Sequence, residues 1–241
     1  MCTVTIIPKG KNDFVLTSNR DEAPNRKSLP PEVYKIKNTQ LLFPMDEMSG
    51  GTWIGLSEKN RAVCVMNGGF VRHDPEQNYR LSRGIVALDF MVSDVVLDTI
   101  QGYDLNAIQP FTMIILDWNT ALKLYELVWD GSEKHLKKLP LQASIWSSTT
   151  LYNSEMKQAR AQWFEAFKSE KKLNAQSILE FHKTAGKGND DYGVVMNRGF
   201  VKTTSITQIE KFGESFEMYY ENLQNKKIAS KSFHLPEIVN D

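Results

Sequence analysis

Cysteine in second position is the residue of this chain whose chemistry stands out first. Methionine aminopeptidases trim an initiating methionine that precedes a small side chain, and loss of Met1 would leave Cys2 with a thiol and a free α-amine. An α-amine has an unperturbed pKa of about 7.7–8.0, well below that of lysine, so much of it can act as a base near neutral pH. Nucleophile and base would then sit on one residue, as they do for an N-terminal threonine with its own amine. Any chain can carry cysteine second, so the feature gains weight only from partners. Asn19-Arg20-Asp21-Glu22 offers some, because four polar residues follow directly on an apolar strand pattern. If that strand pairs with the first, Asp21 can orient the amine and Arg20 can lower the thiol pKa. A third set is Ser49-Gly50-Gly51-Thr52-Trp53-Ile54-Gly55, followed by Ala62 to Asn67 and then Gly68-Gly69. The glycines permit close approach to the main chain. Asn67 reads either as an amide donor to an oxyanion or as the first residue of an Asn-Gly turn.

Several elements must position these residues. Residues 2–7 and 14–19 are β-rich and flank turn chemistry at 9–13, which predicts a hairpin, with a proline-bearing loop at 20–31. Residues 52–56 and 61–66 predict a second hairpin. From Ser82 the apolar positions Ile85, Leu88, Met91, Val92 and Val95 recur at helical spacing, and 94–103 continues or restarts that helix. Strands are expected at 112–118, 122–129, 136–139 and 144–150. Asn153 is a plausible cap for a long helix with Met156, Ala159, Trp163, Phe164 and Phe167 on one face, and Asn174 opens a shorter one. Strands return at 193–196, 200–209 and 215–220, and the polar stretch from about 225 is expected to be a loosely held tail. Without strict strand–helix alternation, this order suits an α+β fold of two antiparallel sheets with helices on their outer faces. No linker or repeat divides residues 1–241, so a single domain is expected.

Composition narrows the function classes. The 241 residues carry 29 Lys+Arg and 29 Asp+Glu, a formal net charge of zero, which argues against nucleic acid as a partner. No apolar run approaches the roughly 18–20 residues of a transmembrane helix, and the apolar start, Val4 to Ile7, is too short for a signal peptide. Two cysteines suit a reducing compartment, so a cytoplasmic location is expected. Cys64 reads as a buried, inert thiol. His73, His135, His182 and His234 lack ligand spacing, so no metal site is expected.

Met-Cys-Thr at the start, Asn-Arg-Asp-Glu at 19–22, Gly-Gly-Thr-Trp-Ile-Gly at 50–55 and a strand ending at Asn67 together resemble the NRDE family, also called the transport and Golgi organisation protein 2 family. That family is in turn similar to N-terminal nucleophile hydrolases with a cysteine nucleophile, such as choloylglycine hydrolases and penicillin V acylases. The resemblance implies a four-layer αββα sandwich and a site at Cys2 formed after removal of Met1. By it Cys2 matches the nucleophile, Asp21 the acid that holds its amine, and Asn67 an oxyanion donor at the end of the fourth strand. Arg20 belongs to the NRDE signature, whereas the cysteine hydrolases place an arginine where this chain has Ser18. Their second asparagine falls at Ser147-Ser148, giving Ser148 that position, and their late arginine falls near Lys202. Asn19, Glu22, Trp53 and Gly68 are the expected substrate contacts. The expected function is hydrolysis of an unidentified amide without a cofactor. The alternative, drawn from animal members linked to haem trafficking, lipid metabolism and Golgi organisation, is a non-catalytic carrier of haem or an acyl-CoA-type lipid. Either way the partner is a small molecule.

Overall fold

The computed structural model describes residues 2–73 and 79–234. In chain order the elements are β1 (Cys2–Lys9), β2 (Asp13–Glu22), β3 (Glu32–Ile36), β4 (Thr39–Phe43), β5 (Ile54–Ser57) and β6 (Arg61–Asn67), then helices α1 (Arg83–Val92) and α2 (Val96–Gly102). Next come β7 (Phe111–Asp117), β8 (Lys123–Trp129), β9 (Lys134–Leu139) and β10 (Ser144–Ser147), helices α3 (Ser154–Glu170) and α4 (Ala175–Thr184), and finally β11 (Lys202–Phe212), β12 (Ser215–Asn222) and β13 (Lys227–His234). Every strand pairing is antiparallel. One sheet has the order β10-β1-β2-β11-β12-β13 and the other β3-β4-β5-β6-β7-β8-β9. Helix α1 packs on β5 and β6, while α3 and α4 pack on β10, β2 and β11, which gives the expected α+β sandwich of two sheets flanked by helices.

The first sheet is buried on both faces, and its alternation decides where the chemistry points. Side chains of successive strand residues face opposite sides. In β1, Cys2, Val4 and Ile6 join the core between the sheets, together with Phe14 and Leu16 of β2 and with Ala62, Cys64 and Ile114 of the second sheet. Ile7 and Val15 instead join Phe164 of α3 and Ile178 and Phe181 of α4 in a separate apolar cluster. Thr3, Thr5, Thr17 and Asn19 share that helix-facing side and are fully buried there.

Both long helices start at the expected caps. The Asn153 side chain accepts from Met156 N–H, and Asn174 forms a reciprocal capping box with Ser177. Ser82 caps α1 by accepting from Ile85 N–H, but that helix ends at Val92, and Val95 lies outside it, exposed.

Several expectations are corrected. Strand β2 runs through Arg20, Asp21 and Glu22, which sequence reading assigns to a loop; pairing with β1 and β11 on its two sides holds them extended. Residues 32–43, to which the sequence reading gives no element, form a further hairpin of β3 and β4. Residues 193–196 form no strand: Val194 and Met196 are buried as parts of a turn region, and Val194 C=O receives the Asn19 side chain. The expected loose tail contains β13, in full register with β12; residues 235–241 of that tail lie outside the described residues. No helix among the described residues is long and apolar enough to cross a membrane.

Candidate active site at the start of the first strand

Cys2 pairs with Arg20 across β1 and β2, and both side chains point between the sheets. The Cys2 thiol is fully buried, with Sγ 3.9 Å from the Val65 carbonyl of β6. Burial raises its pKa, as does the charge of Asp21, while Ser18 and Arg20 act in the opposite direction. The main chain of Cys2 is pinned by the residue that follows β10: Ser148 N–H donates to Cys2 C=O at 3.0 Å.

Asp21 lies one step beyond the Cys2–Arg20 pair, where the main-chain nitrogen of Cys2 emerges, but its side chain occupies the helix-facing side. It is fully buried. The Tyr152 hydroxyl donates to Oδ2 and the Thr203 hydroxyl to Oδ1, each at 2.7 Å. Burial raises the carboxyl pKa against the Arg160 charge and these two hydrogen bonds. Among the described residues it has no ion-pair partner. Thiol and carboxylate thus lie on opposite faces of the first sheet.

On the inter-sheet side a cavity of 330 Å³ is lined by Arg20, Glu22, Trp53, Val65, Asn67 and Arg83, among others. Arg20 stacks over the Trp53 ring at 4.8 Å and donates to Asp46, which also receives Arg26 Nε at 2.8 Å. Burial raises the Glu22 pKa, but the Ala23 N–H and the charges of Arg20 and Arg26 prevail and hold it below the usual carboxylate range. The second glycine of the pair in the 49–55 motif, Gly51, has a packing cause. A Cβ on Gly51 would lie 2.5 Å from the Gly84 carbonyl carbon, and one on Gly84 2.9 Å from the Thr52 main chain, so the start of α1 sits directly on this loop beside the cavity.

Asn67 ends β6, the sixth strand where the fourth was expected because β3 and β4 precede it. Its side-chain amide makes no hydrogen bond among the described residues and faces the cavity's lining. Its carbonyl accepts from Ser148 Oγ at 2.8 Å. The single Ser148 hydroxyl proton is thereby committed, and Ser148 serves as a tie between Cys2 and Asn67 rather than as a donor to substrate. Gly68 has φ +89°, and a Cβ there would crowd Thr149 and Thr150; its N–H goes to Pro110 C=O.

Two expected site residues are not part of the cavity's lining. Asn19 faces the helices, where Nδ2 donates to the carbonyls of His182 and Val194 at 2.9 and 2.6 Å and Oδ1 accepts from His182 Nδ1, so it is not a substrate contact. Lys202 pairs with Glu22 in the β11–β2 ladder, and its ammonium makes no hydrogen bond or ion pair among the described residues. The buried cation near Asp21 is Arg160 of α3, which sequence reading missed. Its Nη2 donates to Gly193 C=O at 2.7 Å, its Nη1 to Thr3 Oγ1, and its guanidinium covers the Tyr152 ring at 3.5 Å. The available signal was an arginine on the apolar stripe Met156, Arg160, Phe164. Tyr152, Thr203 and Arg83 were also missed and carry no sequence mark of their own.

A family model described as Transport and Golgi organisation 2 matches residues 1–232. No curated protein matches the chain. Among solved structures, penicillin V acylase from Agrobacterium tumefaciens superposes with a TM-score of 0.56 at 9% identity, covering 100% of this chain and 94% of that one. The C2A mutant of conjugated bile acid hydrolase from Clostridium perfringens gives 0.58 at 10% identity, covering 97% and 92%. The Caenorhabditis elegans ortholog of N-acylethanolamine-hydrolyzing acid amidase gives 0.51 at 11%, covering 86% and 92%. At these identities the likeness is one of fold.

Proposed function

Because the chain belongs to the Transport and Golgi organisation 2 family and shares its fold with cysteine acylases and amidases, we propose that it is an N-terminal cysteine amidohydrolase, formed by hydrolysis of the Met1–Cys2 bond. The observation that carries this reading is Asp21. A fully buried carboxylate is costly unless it is paired; Arg160, the nearby cation, makes no ion pair with it among the described residues, and the α-ammonium released at Cys2 supplies a partner where the strand begins. In the proposed reaction the Cys2 amine takes the thiol proton and sulfur attacks the substrate carbonyl. The Asn67 amide donates to the developing oxyanion. The C–N bond breaks as the α-ammonium returns its proton to the leaving amine, and water then hydrolyses the thioester. Arg20 lowers the thiol pKa from the same side of the sheet.

Intact-mass analysis after native N-terminal processing, combined with hydrolysis of a panel of N-acyl amides by wild-type and Cys2→Ala protein, tests this. Loss of Met1 and activity confined to the wild type are expected; retained Met1, or hydrolysis that survives Cys2→Ala, overturns it. One observation favours the alternative of a non-catalytic carrier: the Ser148 proton is spent on Asn67, which leaves one donor fewer for an oxyanion. A haem fits that reading poorly, since no cysteine or methionine lines the cavity among the described residues, Cys2 is fully buried, and 330 Å³ lies at the small end of ligand pockets. For an acyl-CoA-type lipid the comparison is direct, because binding by the wild-type protein without any turnover, unchanged in Cys2→Ala, identifies a carrier.

A further inference from the structure

The cavity beside Cys2 holds a charge imbalance that the proposed reaction does not use. Three guanidiniums, Arg20, Arg26 and Arg83, line it against two carboxylates, Glu22 and Asp46. Asp46 is bound by both Arg20 and Arg26. Glu22 lies 3.5 Å from Arg26 and 3.8 Å from Arg20. Both acids are therefore taken by the same two arginines. Arg83 has no ion pair among the described residues, and its one hydrogen bond there runs from Nη1 to the Pro110 carbonyl at 3.3 Å. Burial brings its pKa down to about 10, with Glu22 opposing that shift and Arg26 adding to it. A guanidinium offers five N–H donors in a planar fork whose spacing matches two oxygens of an anion. Arg83 is also the first residue of α1, so the positive end of the helix acts in the same sense. Val65, whose carbonyl lies 3.9 Å from Cys2 Sγ, and Asn67 line the same cavity, so the fork shares one cavity with the wall that covers the thiol.

We propose that Arg83 anchors an oxyanion group of the ligand, a carboxylate or a phosphate monoester, so that the amide presented to Cys2 belongs to an anionic N-acyl compound. The substrate assignment rests on Cys2 being an amidohydrolase nucleophile; the anion site does not.

The test is calorimetric titration of the Cys2→Ala protein with N-octanoylglycine, N-octanoyl-O-phosphoethanolamine and the neutral N-octanoylglycinamide. At least one anionic probe is expected to bind 10-fold or more tighter than the neutral one, and which one does so separates carboxylate from phosphate. Arg83→Gln should erase the preference and Arg83→Lys should retain part of it, with melting curves confirming that both variants fold. Equal binding of all three probes, or a preference that persists in Arg83→Gln, overturns the proposal. Turnover by the wild-type protein separates the two readings. Arg83-dependent anion binding without hydrolysis supports the anion site and removes the amidohydrolase. Hydrolysis at the same kcat/KM for charged and neutral amides, unchanged in Arg83→Gln, supports the amidohydrolase and removes the anion site.

Discussion

Asp21 and Asn differ by one charge and almost nothing in shape, which makes Asp21→Asn a clean probe of the proposed site. The Thr203 hydroxyl still finds an acceptor in the amide oxygen, and the Tyr152 hydroxyl can turn to accept from the amide nitrogen. Stability should therefore change by no more than about 1 kcal/mol, the net worth of a typical hydrogen bond. Activity should fall by up to roughly 10²–10⁴-fold, the worth of a positioned proton carrier, because Asp21 positions the amine that carries the proton. The pH profile of Cys2 alkylation should also move, because an α-ammonium that has lost its carboxylate gives up its proton at lower pH. An unmoved profile would separate Asp21 from the amine. Sequence order alone brought Cys2, Arg20 and Asp21 to one place, because a hairpin with its turn at 9–13 must pair position 2 with position 20. It could not show that the pleat sends Cys2 and Arg20 one way and Asp21 the other. Nor could it find Tyr152 and Thr203, which lie 131 and 182 positions from Asp21 and bond to it only in the packed fold, or Arg160, whose charge acts on it from α3.

Element by element, most strands with a core face were legible, as were the edge strands β9 and β10, whereas β4 and the edge strands β3 and β13 were not. β3 reads Glu-Val-Tyr-Lys-Ile with little of it buried, and β13 alternates Lys, Ser and Ala with only Phe233 buried. A strand at a sheet margin has no continuous apolar face to mark it. The β3–β4 turn uses Lys37 and Asn38, both at positive φ, without the glycine that usually announces such a turn. The error at 193–196 has the opposite cause, an apolar run buried as a turn against Asn19. Helix α1 shows how tightly its position over the cavity is fixed. Alanine favours a helix over glycine by about 1 kcal/mol, yet a Cβ on Gly84 would meet the main chain of Thr52 at 2.9 Å, where nothing flexible can yield. Gly84→Ala should therefore destabilise by about 1–3 kcal/mol and lower activity, since α1 must lift from the Gly51 loop. Gly102→Ala at the end of α2 meets nothing within 4 Å and should be neutral or stabilising by up to about 1 kcal/mol. Denaturant midpoints of the two variants give the comparison, and an equal response would dismiss the crossing as a constraint.

At the scale of the whole molecule, the first sheet is a shared wall between two compartments, and its helix-facing side is held by polar contacts as well as by the Phe164–Phe181 cluster. Asn19 Oδ1 can only accept, so His182 Nδ1 carries the proton; Nε2 then accepts from Thr5 Oγ1 at 2.8 Å. Full burial, with the Arg160 charge adding to it, depresses the His182 pKa to about 3. The unfolded chain binds a proton at this residue near pH 6.5, whereas the folded protein refuses it until about pH 3. A depressed histidine pKa means that its contribution is complete above about pH 6.5 and is lost as pH falls through the window below it. Within that window the unfolded state holds more protons, so stability declines at up to roughly 1.4 kcal/mol per pH unit, or about 2–3 kcal/mol by pH 4.5. Glutamine can still donate to Asn19 and accept from Thr5 without a titrating group, so His182→Gln should lose that part of the acid slope while keeping a similar midpoint at pH 7.5. Urea unfolding of both proteins between pH 7.5 and 4.5 measures the difference directly. Parallel slopes would mean that α4 opens before the protein unfolds, and that the wall between the compartments is held by the apolar cluster alone.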